Sequence, residues 1–188
     1  RAGSALVARM LDANKSIHVA TSPFMEILRL QRNLILNKFD KKKYSFNFTS
    51  KLPFQDYYYS DESIKILDLV INSSANLKLP RNIWEGHLNI IKKRMSIENK
   101  DLAKHVDGVY NPNFIKLINN SFKVLTAARN LKEKKIIGSV DPWIIEMFLP
   151  LAKSFKNSKF IVVIRDPRAS IASHISMKYK RRIANLLS

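Results

Sequence analysis

Residues Phe160-Ile161-Val162-Val163-Ile164 constrain the fold more than any other stretch of this chain. The run is apolar throughout and β-branched after the phenylalanine, so it offers no polar face to water. An antiparallel strand with one wet side alternates apolar and polar residues. A run apolar on both sides suits a strand of a parallel sheet, covered by helices above and below. Arg165 follows at its carboxyl end, where open α/β sheets bind ligands. Asp166-Pro167 then supplies a cap and a first-turn proline for a basic final helix. Upstream, Lys135-Ile136-Ile137-Gly138 reads as another short strand. Asp141-Pro142 caps and starts a helix with Ile144, Met147, Phe148, Leu151 and Phe155 on its inner face. Strand, loop and helix, twice over, make an α/β domain.

The amino-terminal part fits the same class. Ser4 reads as an N-cap, with Leu6, Met10 and Leu11 as the apolar face of the helix it opens. Ile17-His18-Val19-Ala20 is a short buried strand. Pro23 suits the first position of a helix striped by Phe24, Ile27, Leu28, Gln31, Leu34 and Ile35. Residues 40–60, with Lys41-Lys42-Lys43, Pro53 and three consecutive tyrosines, read as a loop. Three helices follow, starting near Asp61, near Pro80 and at Asn111-Pro112. Their stripes are Ile64, Leu67 and Ile71; Trp84, Leu88, Ile91 and Met95; and Ile115, Ile118, Phe122 and Leu125. Such stripes pack a core far more often than they form a partner groove. The 188 residues, 46% of them hydrophobic, suffice for one domain with its own core.

Charge and composition narrow the chemistry. Lys and Arg number 33 against 15 Asp and Glu, a formal charge of +18. That excess favours an anionic partner: a nucleotide, an acidic polymer, an anionic membrane surface or nucleic acid. Cysteine is absent, which excludes disulfides and thiolate metal sites, and no metal site is expected. No apolar run approaches the roughly 20 residues of a spanning helix.

Two stretches look built for phosphate. In Arg1-Ala2-Gly3-Ser4-Ala5-Leu6 a helix N-terminus offers unpaired N–H groups, glycine permits close backbone approach, Ser4 can donate, and Arg1 adds a full charge. A serine-capped helix after a glycine turn is also common where no ligand binds. In Phe160–Ser173 a covered strand delivers Arg165, with Ser173 on the adjoining helix, so that the two can grip one phosphate. The bland alternative pairs Arg165 with a carboxylate and leaves Ser173 in solvent.

Together the stretches resemble the sulfotransferases that use 3′-phosphoadenosine 5′-phosphosulfate (PAPS). Arg1–Asn14 is similar to that family's 5′-phosphosulfate loop, Pro-Arg-Ser-Gly-Thr-Thr-Leu-Leu with Leu-Asp-Ala shortly after. Ser158–His174 is similar to its 3′-phosphate motif, Lys-Phe-Ile-x-x-x-Arg-Asp-x-Arg-x-x-x-x-Ser. Ile136–Phe155 is similar to the helix before that motif, and the likeness spans residues 1–36 and 134–182. The resemblance implies a P-loop-like three-layer parallel sheet flanked by helices within a single partial domain, with residues 37–133 as a helical acceptor-side insertion. It also implies that the chain starts inside the first loop, lacking a central strand whose absence exposes apolar surface and unpaired backbone. Arg1, Ala2, Gly3, Ser4, Ala5 and Leu6 would hold the 5′-phosphosulfate, and Arg165 and Ser173 the 3′-phosphate. Three positions depart from the pattern. Ala5 replaces a frequent hydroxyl, Val140 replaces the lysine of Gly-x-Lys-x-Pro, and Ala20-Thr21-Ser22-Pro23 replaces the Gly-Glu-Glu-Thr that supplies a base in protein-tyrosine sulfotransferases.

The implied reaction moves a sulfuryl group to a hydroxyl or amine acceptor, an acidic carbohydrate being one that suits the charge. It needs in-line positioning, stabilisation of the leaving phosphate and a proton acceptor. Arg1 fits the leaving group. Glu26 is the candidate base, with Asp141, Glu146 and His18 as rivals; Asp141 is equally a helix cap, Glu26 and Glu146 equally surface acids, and His18 equally a packed strand residue. Alternatives are an inactive PAPS-binding relative and a basic nucleic-acid-binding module, although the basic clusters are scattered and match no nucleic-acid motif. A nucleoside triphosphatase P-loop would need Gly-Lys-Ser/Thr, which is missing here. A cytoplasmic setting is expected, or the Golgi lumen if an anchor precedes the chain.

Overall fold

The computed structural model describes residues 3–37, 68, 71–72, 78–173 and 175–176. Arg1, Ala2, the 40–60 loop and most of the helix expected near Asp61 lie outside them. The chain is mixed helix and strand, with a two-stranded parallel sheet flanked by helices.

Helix α1 (Ser4–Asp12) leads through a tight turn into β1 (Ile17–Thr21), and α2 (Met25–Asn37) follows. The middle of the chain is helical: α3 (Arg81–Glu98), the single turn α4 (Lys100–Ala103), a 3₁₀ turn (Val106–Val109) and α5 (Phe114–Ala128). Strand β2 (Ile136–Val140) then pairs parallel to β1, in a register running from Ile17 opposite Ile136 to Thr21 opposite Val140. A 3₁₀ turn (Pro142–Ile145), α6 (Phe148–Ser154) and a helix α7 over 167–173 complete it.

Local chemistry explains most boundaries. Gly3, not Ser4, caps α1. Its φ of 94° is left-handed, a conformation glycine adopts without a Cβ penalty, and Ser4 is the first helical residue. The Gly3 carbonyl accepts from the N–H groups of Leu6 (2.9 Å) and Val7 (3.2 Å). Asn113 caps α5 by accepting from Lys116 N–H at 3.0 Å. Pro80 precedes α3 in extended conformation, which suits a residue that donates no N–H.

The core lies among the helices. Ile27, Leu28 and Ile35 of α2 meet Trp84, Ile91 and Met95 of α3 and Phe114, Leu117, Ile118 and Leu125 of α5, and Met147 and Leu151 join from the carboxyl-terminal part. Edge-to-face packing of Phe24 on Phe122, with centroids 4.8 Å apart, ties the start of α2 to α5. The stripes expected for these helices are therefore core, and Arg32 is buried among them with 0% exposure.

Three further expectations need correction. The run Phe160–Ile164 forms no strand, and none of Ile161–Ile164 shares a backbone hydrogen bond with another described residue, because a strand exists only through a neighbour's backbone. Within the described residues the sheet therefore has two strands. The apolar face of α1 points elsewhere: Leu6 and Met10 are 64% and 68% exposed, and Ala8 is its buried residue. Pro142 opens a 3₁₀ turn, with α6 starting at Phe148.

Candidate functional site

Because α1 and β1 are joined by a short turn and pack together, they run antiparallel. The N-terminus of α1 thus lies toward the carboxyl ends of β1 and β2, the end where parallel strands place ligands. Asp12 fixes this arrangement. Its Oδ1 accepts Val19 N–H at 2.9 Å and lies 2.8 Å from His18 Nδ1. Counting back along α1 at about 1.5 Å per residue carries Gly3 past the last residue of β1.

Gly3, Ser4, Ala5 and Leu6 are all exposed there. No side chain caps the helix, and the N–H groups of Ser4 and Ala5 have no partner among the described residues. Free N–H groups at a helix start carry partial positive charge and suit an anion. A Cβ on Gly3 would meet nothing within 4 Å, so the positive φ is what demands glycine.

The strand ends are closed around the same place. Ser22, with φ 47°, donates its N–H to the Val140 carbonyl at 2.7 Å, carrying the pairing one residue past β1. Asp141, 5% exposed, accepts Phe24 N–H at 3.0 Å through Oδ2. It thereby caps the turn into α2 and ties both strand exits together.

The second phosphate stretch lies at the start of α7. Arg165 is exposed and Ser173 half-buried. Asp166 accepts Arg168 N–H at 2.8 Å, and the Arg168 guanidinium folds back onto it at 2.8 Å. That guanidinium holds the Asp166 carboxyl below the usual carboxylate range.

Each proton-acceptor candidate has a partner. Glu26 is 8% exposed and receives Arg29 Nη1 at 3.1 Å, with Arg94 Nε 3.7 Å away. Glu146, fully buried, lies 3.9 Å from Arg32 Nε. The surface setting expected for these two acids is thus overturned, since α3 covers one side of α2 and the Pro142–Ile145 turn another. His18 Nε2 is 3.1 Å from Arg129 Nη1. A guanidinium only donates, so Nε2 accepts and the Nδ1 proton points to Asp12.

Sequence reasoning missed Arg129. From the carboxyl end of α5 its Nε donates to Asp101 at 2.7 Å and its Nη2 to Asn99 at 2.7 Å. Asn99 is 2% exposed and donates in turn to the Thr21 carbonyl at 3.0 Å. This chain of bonds locks the α3–α4 junction to the last residue of β1. Nothing in the local pattern of Ala127-Ala128-Arg129-Asn130 marks it.

The basic clusters are partly spent within the fold. Lys92 pairs with Asp107 at 2.8 Å and Arg94 approaches Glu26, leaving Lys93 as the free cation of that cluster among the described residues. No helix of the described residues is long and apolar enough to cross a membrane. Comparison with protein-family models, curated proteins and solved structures finds no match.

Proposed function

We propose that this chain is a PAPS-dependent sulfotransferase, with β1 and β2 belonging to a P-loop-like three-layer sheet. The uncapped N-terminus of α1 carries the reading: Ser4 and Ala5 N–H groups with no partner among the described residues, opened by a left-handed Gly3, at the carboxyl ends of parallel strands. In the reaction, the bond between sulfur and the 5′-phosphate oxygen breaks while one forms to the acceptor hydroxyl or amine. The Gly3–Leu6 turn, with Arg1 before it, neutralises charge growing on the leaving phosphate. Arg165 and Ser173 hold the 3′-phosphate. For Glu26 to take the acceptor's proton, its carboxylate must exchange Arg29 for the acceptor. An acidic carbohydrate acceptor suits the +18 charge.

Titration of the chain with adenosine 3′,5′-bisphosphate, followed by thermal unfolding, tests the proposal. At a ligand concentration near 100 times Kd the folded state gains about 2.7 kcal/mol. Arg165→Ala abolishes that gain. A melting temperature indifferent to the bisphosphate, together with steeply salt-dependent DNA binding, transfers the chain to the nucleic-acid-binding reading.

A further inference from the structure

Two turns meet at the amino end of the sheet. The first, Ala13–Ser16, joins α1 to β1. Asn14 Oδ1 accepts Ser16 N–H at 2.8 Å there, an Asx turn with Lys15 at its tip. The second, Arg129–Lys135, joins α5 to β2. Leu131, 8% exposed, anchors it: its N–H donates to the Thr126 carbonyl at 2.9 Å and its carbonyl accepts Lys134 N–H at 3.0 Å. Because β1 and β2 run parallel, both turns lie at one end of the sheet. Direct bonds fasten them together. The Ser16 carbonyl accepts the N–H groups of Lys135 (2.9 Å) and Ile136 (3.1 Å), and Lys134 Nζ donates to the Asn14 carbonyl at 3.5 Å.

This arrangement brings Lys15, Lys132, Lys134 and Lys135 to one surface, with Lys15, Lys132 and Lys135 exposed. None of the four is in an ion pair among the described residues. Neighbouring acids are occupied elsewhere: Asp12 by His18 and the Val19 N–H, Asp101 by Arg129. Glu133 is the acid that the two turns themselves carry. Strand alternation adds an apolar group. Ile137 packs on the core, so Ile136 faces the other way and is 57% exposed beside Lys135.

We propose that this end of the sheet is a docking surface for an anionic lipid bilayer. Clusters of about four or more basic residues at a surface bind acidic headgroups. Lysine suits this partner, because its ammonium is a point charge that meets mobile headgroups in any orientation, whereas fixed phosphates and carboxylates favour the arginine fork. Ile136 suits it too: an exposed apolar side chain enters the headgroup boundary, and a hydrated polysaccharide or phosphate backbone gives it no place. Each strand has five residues, which at about 3.3 Å apiece puts roughly 17 Å of sheet between the bilayer contact and the carboxyl ends of the strands. The N-terminus of α1 thus stays open to water. The inference rests on these two turns, independently of nucleotide binding.

The test is co-sedimentation of the full chain with vesicles of phosphatidylcholine alone and of an equimolar mixture with phosphatidylserine. Attachment should require phosphatidylserine and weaken as salt rises. At about 1 kcal/mol per lysine, Lys15→Gln with Lys135→Gln should weaken it about thirtyfold. Lys93→Gln with Lys100→Gln removes the same charge beside the Asn99–Thr21 junction, at the other end of β1, and screening should hold its effect to about threefold or less. Ile136→Ser should weaken attachment about threefold or more and leave retention on heparin unchanged. Far-ultraviolet circular dichroism verifies folding, and Lys132→Gln with Lys135→Gln replaces the first pair should the Lys15 variant lose its native spectrum. Equal attachment to phosphatidylcholine alone, equal losses from the two lysine pairs, full attachment of Ile136→Ser, or no attachment at all overturns the proposal. Loss of heparin or DNA retention in the patch variant with vesicle attachment intact overturns it as well and assigns the lysines to a polyanion.

Discussion

Replacing Arg129 with leucine removes the guanidinium that joins three elements while keeping an apolar stem of similar length. Three acceptors lose their donor. Asn99 is 2% exposed, so its orphaned Oδ1 costs about 1–2 kcal/mol. The Asp101 carboxylate is 39% exposed, and solvent screening limits its share to about 0.5–1 kcal/mol. His18 Nε2 adds about 0.5–1 kcal/mol. The expected loss is about 2–4 kcal/mol, or roughly 5–15 °C in Tm for a chain of this size. Urea unfolding followed by circular dichroism measures it, with Arg129→Lys as the control that keeps charge and loses the fork. The pH dependence provides an independent check. The Arg129 hydrogen bond lowers the Asp101 carboxyl below its ordinary 3.8. Because the folded value lies below the unfolded one, the pair's contribution is fully present above that ordinary value and is lost as pH falls through the folded value. The gap between the native chain and the leucine variant should therefore hold constant from pH 7 to 5 as far as Asp101 is concerned and narrow below about pH 4. A total loss under about 0.5 kcal/mol, or a gap unchanged down to pH 3, would refute the reasoning.

Three further variants probe the site's scaffold. Gly3→Ala must hold a Cβ at φ 94° and should cost about 1–2 kcal/mol in thermal unfolding, while weakening adenosine bisphosphate binding by displacing the Ser4 and Ala5 N–H groups. Asp141→Ala leaves Phe24 N–H without an acceptor in a buried place, an expected loss of about 1–3 kcal/mol by urea titration. Asn113→Ala deletes the cap of α5 and should cost about 0.5–2 kcal/mol, whereas Asn113→Asp should restore most of it; equal stability of the two would exclude capping as the cause.

The helices of this protein could be read from spacing alone. Their backbone hydrogen bonds close within four residues, so α2, α3 and α5 needed only a periodic apolar stripe, and Ile27, Trp84 and Ile118 are buried as that period requires. Strands β1 and β2 were legible as short β-branched runs, although their pairing joins residues more than a hundred positions apart. Phe160–Ile164 has the strongest strand composition of all and is not one here, since composition cannot supply the neighbouring backbone that a strand requires. Charged side chains divide in the same way. The glycine before Ser4 could be recognised locally as the turn that opens α1. The burial of Glu26, Arg32 and Glu146 and the reach of Arg129 to Asn99 were settled by how α2, α3 and α5 lie against one another. A charge's surroundings are set by whatever packs on it, and that neighbour comes from elsewhere in the chain.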